Sequence, residues 1–223
     1  MSYLRLYCVR HGQTVESLRY TFNGWTDVEL SDEGRRQLDE AALALGGLRV
    51  DAVYSSDLRR AVYGARALAA RLGQEPMVEP GFREVNFGLC EGLVFREIRE
   101  RFPELAGDIL SPDGGEFLFP GGEGAQMFRE RIRGALAGLR ERHPQGCVAL
   151  FCHAGVGRAL LAEALNLTNT QMWCIDQDFA CLNVIDYFEN GGLRIKLVNG
   201  FLGPDGYFQA GPGLDRLAYK DGD

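Results

Sequence analysis

The segment LRLYCVRHGQTVESLRYTFNGWTD, residues 4–27, ends an apolar strand pattern on an arginine, a histidine and a glycine. Leu4, Leu6 and Cys8 alternate with Arg5 and Tyr7, the period-2 signature of a β-strand, and the alternation stops at Arg10-His11-Gly12. A second segment repeats the arrangement. CVALFC, residues 147–152, is an unbroken apolar run of the kind buried on both faces of a sheet, and it stops at His153-Ala154-Gly155. In open parallel sheets, ligands bind beyond the carboxyl ends of the strands. If these two strands are neighbours, His11 and His153 face one crevice.

Working outward, the polar, aromatic-bearing stretch from 12 to 30 is too long for a simple turn and reads as a functional loop. In SDEGRRQLDEAALAL, Ser31 stands as an N-cap, and Leu38, Ala41, Ala42 and Leu45 repeat at helical spacing before Gly46-Gly47 ends the helix. DAVYSS predicts a short strand, and DLRRAVYGARALAARLG a helix with Asp57, Leu58 and Arg59 in its first turn and Arg60 near its start. VFREIRERFPE predicts a short helix cut at Pro103, followed over 106–124 by an ordered, irregular flap whose Phe117, Leu118 and Phe119 need cover. AQMFRERIRGALAGLRERH predicts a helix with Met127, Ile132, Leu136 and Leu139 as its core stripe, and VGRALLAEALN another. CLNVIDYF and LRIKLVNG flank Asn190-Gly191 as a hairpin. Strands alternating with helices give an α/β class, a three-layer α/β/α fold with a mostly parallel central sheet.

The 223 residues suit one domain, 1–223, with an irregular flap at about 86–124 and a loose C-terminal tail from about 203. The 24 basic and 31 acidic residues leave a net charge of −7, which argues against a nucleic-acid binder without excluding a locally cationic pocket for a small anion. The N-terminus has no signal-peptide core, and no run approaches the roughly 20 apolar residues of a membrane span. The six cysteines contain no C-x-x-C pair, so a zinc site is not expected, and a reduced cytoplasmic setting fits best.

Arg10, His11, Arg60, His153 and Glu84 together make the composition expected around a phosphoryl group. At this point VRHGQT, SSDLRRA, REVNFGLCEG, GGEG and FCHAGVGRAL resemble, in order and spacing, the histidine phosphatase superfamily, the phosphoglycerate-mutase-like group that includes broad-specificity and α-ribazole phosphatases. The likeness runs from residue 4 to about 190. It implies that His11 is the nucleophile, forming a phosphohistidine. Arg10, Arg60 and His153 would clamp the phosphoryl oxygens, and Glu84 would protonate the leaving alkoxide and then activate water. Ser17, Asn23, Gly24 and Ala154 become candidate substrate contacts, and the N–H groups of Ala154 and Gly155 a helix start that could receive an anion. The physics agrees. An imidazole attacks only when neutral, so a partner should fix its tautomer. A loose phosphoryl transition state needs spread positive charge, which two guanidiniums supply, so neither a metal nor a cofactor is called for.

The chain departs from the phosphatase and mutase pattern at Glu16-Ser17, where Trp-Asn is common, at Thr21 for arginine, at Asn23 for glutamine, and at Cys152 and Ala154 around the second histidine. VNFGLCEG after the acid is the phosphatase-like form. Phe95, Phe117 and Phe119 in the flap, with Tyr20, Phe22 and Trp25 in the first loop, favour an apolar or aromatic leaving group. The reading is a phosphomonoesterase on a small metabolite. The alternatives are a cofactor-dependent phosphoglycerate mutase and a phosphate-binding module without turnover. The acid-phosphatase and phytase branch reads R-H-G-x-R-x-P and H-D, where this chain has Gln13-Thr14 and His153-Ala154. The expected partner is a small phosphate ester, with no nucleic acid and no membrane; a homodimer is the assembly considered. Glu91 is the rival to Glu84, Glu123 is assigned to the start of the following helix, and His143 to solvent.

Overall fold

The computed structural model describes residues 2–19, 21–110, 117–202 and 208–210. Tyr20, the middle of the expected flap (111–116) and nearly all of the expected tail lie outside the described residues.

The chain runs β1 (Tyr3–Arg10), α1 (Asp32–Gly46), β2 (Ala52–Ser55), α2 (Arg59–Leu72), β3 (Met77–Val78), α3 (Phe95–Arg101), α4 (Pro103–Leu110), α5 (Ala125–Arg142), β4 (Gly146–Cys152), α6 (Ala154–Leu165), β5 (Leu182–Phe188), β6 (Leu193–Leu202) and β7 (Phe208–Ala210). One seven-stranded sheet has the order β3-β2-β4-β1-β5-β6-β7. β3, β2, β4 and β1 are mutually parallel, and β5, β6 and β7 add an antiparallel edge. Gly191 takes φ +80° in the turn that joins β5 to β6.

Alternation along the strands sorts the core onto both faces of the sheet. Leu4, Leu6 and Cys8 of β1 join Val148, Leu150 and Cys152 of β4 on the face covered by α5 and α6. Tyr7 and Val9 join Ala149 and Phe151 on the face covered by α1 and α2. Helices on both faces make the three-layer architecture. The ends of the helices follow local chemistry: the Ser31 hydroxyl accepts from Gly34 N–H at 3.1 Å, and Gly73 closes α2 in the left-handed conformation.

Four local expectations are corrected. The flap is not irregular up to residue 110: Pro103 opens α4, because a missing N–H costs nothing in a first helical turn. Met127 is 58% exposed, and the buried face of α5 is instead Phe128, Ile132, Leu136 and Leu139. His143 is half-buried, its Nε2 2.9 Å from the Tyr54 hydroxyl. Leu58 is the N-cap of α2, so Asp57 falls outside the helix, where it pairs with Arg83. Among the described residues no helix is long and apolar enough to cross a membrane.

Candidate active site

β1 and β4 pair in register, Arg10 opposite Cys152, so their carboxyl ends deliver His11 and His153 side by side. The ring centroids stand 5.3 Å apart. The His11 N–H donates to the Cys152 carbonyl at 2.9 Å, which continues the ladder into the site. His11 Nδ1 lies 2.8 Å from the Gly12 carbonyl. A carbonyl only accepts, so Nδ1 carries the proton and Nε2 keeps its lone pair. The turn after His11 is held by a crossing of two backbones. A Cβ on Gly12 would meet the Gly34 oxygen at 2.1 Å, and a Cβ on Gly34 would meet the Gln13 oxygen at 1.9 Å, so neither position accepts a side chain.

Burial holds both imidazoles well below the ordinary histidine value, and Arg60 and Arg10 push them further down. They therefore stand neutral at neutral pH. His153 is fully buried and its Nε2 is 2.8 Å from the Ser56 hydroxyl.

Arg60, the second residue of α2, is 1% exposed. Its guanidinium donates to the carbonyls of Thr26 at 2.9 Å, Gly24 at 2.5 Å and Asn23 at 3.4 Å, so the first loop aims it. Arg10 donates to the Gln177 carbonyl and stacks 4.0 Å over the Phe179 ring. Desolvation lowers Arg10 to about 10, which still leaves it charged at neutral pH. Among the described residues neither guanidinium has a carboxylate partner. Arg10 Nε, Arg60 Nε and His153 Nδ1 are buried polar atoms without a hydrogen-bond partner. Ser55 Oγ, Arg129 Nε and Tyr187 OH share this state outside the cavity.

Glu84 is 7% exposed and joins the same cavity, of about 530 Å³, as Arg10, His11 and Arg60. Its Oε2 accepts from Gly155 N–H at 3.0 Å and its Oε1 from Val85 N–H at 2.9 Å. The expected anion-binding N–H of Gly155 is therefore already taken, and only glycine allows the approach: a Cβ there would sit 2.2 Å from Glu84 Oε1.

Of the candidate substrate contacts, Ser17, Asn23 and Ala154 line the cavity, whereas Gly24 does not. The Gly24 carbonyl serves Arg60, and its N–H donates to Glu91 at 3.0 Å. The Ser17 hydroxyl is engaged by Thr14 Oγ1 at 2.6 Å. Glu91 is no rival acid. Its carboxylate gathers the N–H groups of Gly24, Trp25, Thr26 and Phe87, which ties the first loop to the segment after Glu84. Glu123 pairs with Arg131 inside α5 and accepts from Asn86 N–H, so it braces a loop rather than capping the helix.

The aromatic wall is real but differently composed. Phe22, Phe117 and Phe119 line the cavity together with Phe87, Trp173 and Phe179, while Phe95 and Trp25 do not. Arg158 of α6 also lines it, donating to the Ile175 carbonyl at 2.8 Å and lying 5.3 Å over the Trp173 ring. Arg158 stood inside the FCHAGVGRAL motif without being given a role, and nothing in the sequence pattern singled out Phe179 or Trp173, because a cation on an aromatic face leaves no periodicity. Ser56 stood inside the SSDLRRA motif, where its neighbour His153, 97 residues away, was the missing signal.

The cavity thus brings one imidazole of fixed tautomer together with two cations, a carboxyl group and aromatic rings, while the expected phosphoryl contact His153 stands behind His11, fully buried and not on the cavity wall. Residues 6–200 match the model of the histidine phosphatase superfamily, branch 1, and the chain belongs to that family. It is a phosphatase-type hydrolase with the phosphoglycerate-mutase-like fold. The chain is similar to phosphoserine phosphatase 1 of Hydrogenobacter thermophilus, 28% identical over 87% of this chain and 92% of the relative. It is 30% identical to phosphoglycerate mutase-like protein 4 of Arabidopsis thaliana, over 98% and 95% of the two chains. The crystal structure of the α-ribazole phosphatase from Shigella flexneri superposes with a TM-score of 0.79 at 25% identity, covering 87% and 96%.

Proposed function

We propose that the chain hydrolyses a small-metabolite phosphate monoester through a phosphohistidine on Nε2 of His11. The phosphoryl group sits against Arg10 and Arg60 on the cavity wall, with His153 behind His11. Nε2 attacks phosphorus, the P–O bond to the alcohol breaks, and Glu84 gives its proton to the departing oxygen. Water then loses a proton to Glu84 and attacks the phosphohistidine, releasing inorganic phosphate and restoring the neutral imidazole. Charge spread over the loose transition state is met by two guanidiniums that form no ion pair with a carboxylate among the described residues.

The observation that carries this reading is the His11 Nδ1–Gly12 carbonyl contact of 2.8 Å, which leaves Nε2 free beside the two cations. Covalent labelling distinguishes it from a module without turnover. Rapid quenching with ³²P-labelled ester should trap base-stable, acid-labile label that disappears in His11→Ala. Label that survives in that variant would remove His11 as the nucleophile.

The cavity's aromatic rings support a leaving group with a flat or apolar body, and α-ribazole phosphate is the first natural ester to try. A second reading, an alcohol bearing a carboxylate as in phosphoserine, draws on Arg158, a cation in the same cavity with no carboxylate partner among the described residues. A panel of phosphate esters separates the two by kcat/KM, and transfer to a phosphoglycerate instead of water would favour the mutase alternative. The free thiols of all six cysteines support a reducing, cytoplasmic setting.

A further inference from the structure

Glu84 lies between the short 3-10 turns Pro80–Phe82 and Gly88–Cys90, in a segment with no helix or strand of its own. Acid catalysis needs its carboxyl group held to a fraction of an ångström, so something must stand in for secondary structure. The Arg131 side chain does so. Nη1 donates to the carbonyls of Gly81 and Arg83, each at 2.9 Å, and Nη2 to the Glu84 carbonyl at 3.0 Å. Nε and Nη2 also hold the two Glu123 oxygens, both at 2.7 Å. These bonds employ all five N–H donors of the guanidinium. Glu123 in turn accepts from Asn86 N–H and donates its own N–H to the Asn86 carbonyl, both at 2.9 Å.

The anchor is firm, because Arg131 leaves α5 between Phe128 and Ile132, two residues fixed in the core. A second tie reaches the same carbonyl: Trp25 Nε1–H donates to Glu84 O at 2.9 Å. The Trp25 ring lies under the Arg83 guanidinium, 4.7 Å from its centroid. Every residue from 81 to 86 except Phe82 and Val85 is thereby tied to Arg131, Glu123 or Trp25. None of the three lines the cavity.

We infer that Arg131 is a positioning residue for Glu84, with Trp25 as its auxiliary: it sets the general acid through the backbone and touches no substrate. The inference rests on the acid role proposed above for Glu84. A positioning role predicts selectivity by leaving group. An alkyl phosphate needs a proton on its departing oxygen, and p-nitrophenyl phosphate needs little.

The test measures kcat/KM for ethyl phosphate and p-nitrophenyl phosphate in the wild type, Arg131→Lys, Trp25→Phe, Glu84→Gln and the Arg131→Lys/Glu84→Gln double variant. Lysine keeps the charge but cannot span five acceptors. Its loss on the alkyl ester should exceed its loss on the aryl ester by roughly 10-fold or more. In the Glu84→Gln background it should add almost nothing, because its effect passes through the missing acid. Trp25→Phe keeps an aromatic side chain, though a smaller one, and removes the N–H, so it should show the same selectivity at a few-fold and remain folded where Arg131→Lys does not.

Equal losses on the two esters in Arg131→Lys and Trp25→Phe, or losses that multiply in the double variant, overturn the positioning role while leaving a selective Glu84→Gln in place. A Glu84→Gln variant that loses both esters equally overturns the acid assignment and this inference with it.

Discussion

His11 and His153 hang from the ends of two paired strands in the middle of the sheet, whereas Glu84 and the loop carbonyls that aim Arg60 sit in segments without a ladder. The first half of the site gets its geometry from the register of β1 against β4 and from the helices packed on both faces. The second half gets it from three charged side chains, Glu91, Glu123 and Arg131, that bind backbone groups instead of substrate. In the proposed reaction the strand-borne imidazole serves the phosphoryl group, common to every ester, while the side-chain ties hold both Glu84, on the side of the departing alcohol, and the loop that aims Arg60.

The sharpest way to break this division is at the proposed nucleophile. His11→Ala should lower kcat/KM by about 10⁴-fold or more for alkyl and aryl esters alike, with an unchanged far-ultraviolet circular dichroism spectrum. Residual turnover above about 1% would place covalent chemistry elsewhere. Arg60→Ala comes next, with an expected loss of about 10²–10³-fold. The loss should again be equal for both esters if, as proposed, Arg60 acts on the phosphoryl oxygens. A loss concentrated on alkyl esters would move Arg60 to the departing-alcohol side.

Glu91→Gln tests the ties themselves. An amide offers one acceptor oxygen where the carboxylate receives four N–H groups, and the expected cost is roughly 1–3 kcal/mol. In a chain of this size that lowers Tm by about 2–4 °C for each kcal/mol, read by calorimetry. No change in Tm would mean the loop is held without it.

The strand-borne half has its own pH signature. Because the folded imidazoles sit well below the ordinary value of about 6.5, the unfolded chain binds more protons between the two values. Stability should therefore be complete above about pH 6.5 and fall as the pH drops toward the folded values, by roughly 1 kcal/mol per pH unit for each ring. Urea midpoints at pH 7.5 and 5.5 measure it, and His11→Asn should flatten the slope; an equally steep variant would exclude His11 as a source. The smallest effect belongs to Met127→Lys, which should change stability by no more than about 0.5 kcal/mol because the side chain faces solvent. A loss of several kcal/mol would restore it to the core.

What the sequence made legible follows the same line. β1, β4 and α1 carry their own signals in alternation, apolar runs and the Ser31 cap, so the convergence of His11 and His153 could be read from two strand ends. Met127 was misassigned because several residues of α5 satisfy a loose helical spacing, and Phe128, one position away, is the one that faces the sheet. The ties around Glu84 were not legible at all. Arg131 reaches carbonyls 47 to 50 positions back, and Glu91 reaches N–H groups up to 67 positions back. An interaction between a side chain and a distant backbone group imposes no pattern on either stretch, so Glu91 resembled a competing acid and Glu123 a cap.

The Gly12 and Gly34 crossing places the proton of His11 under main-chain control. In many acid–base sites a carboxylate or hydroxyl orients the imidazole, and exchanging that one residue retunes the ring. Here the orienting group is the carbonyl next door, on a glycine whose Cα packs against Gly34 in the first turn of α1. No exchange of an ionisable residue can remove it. The vulnerable point is instead a methyl group: alanine at position 12 or 34 would push strand exit and helix apart, turn that carbonyl, and silence the ring without altering any residue that bears charge.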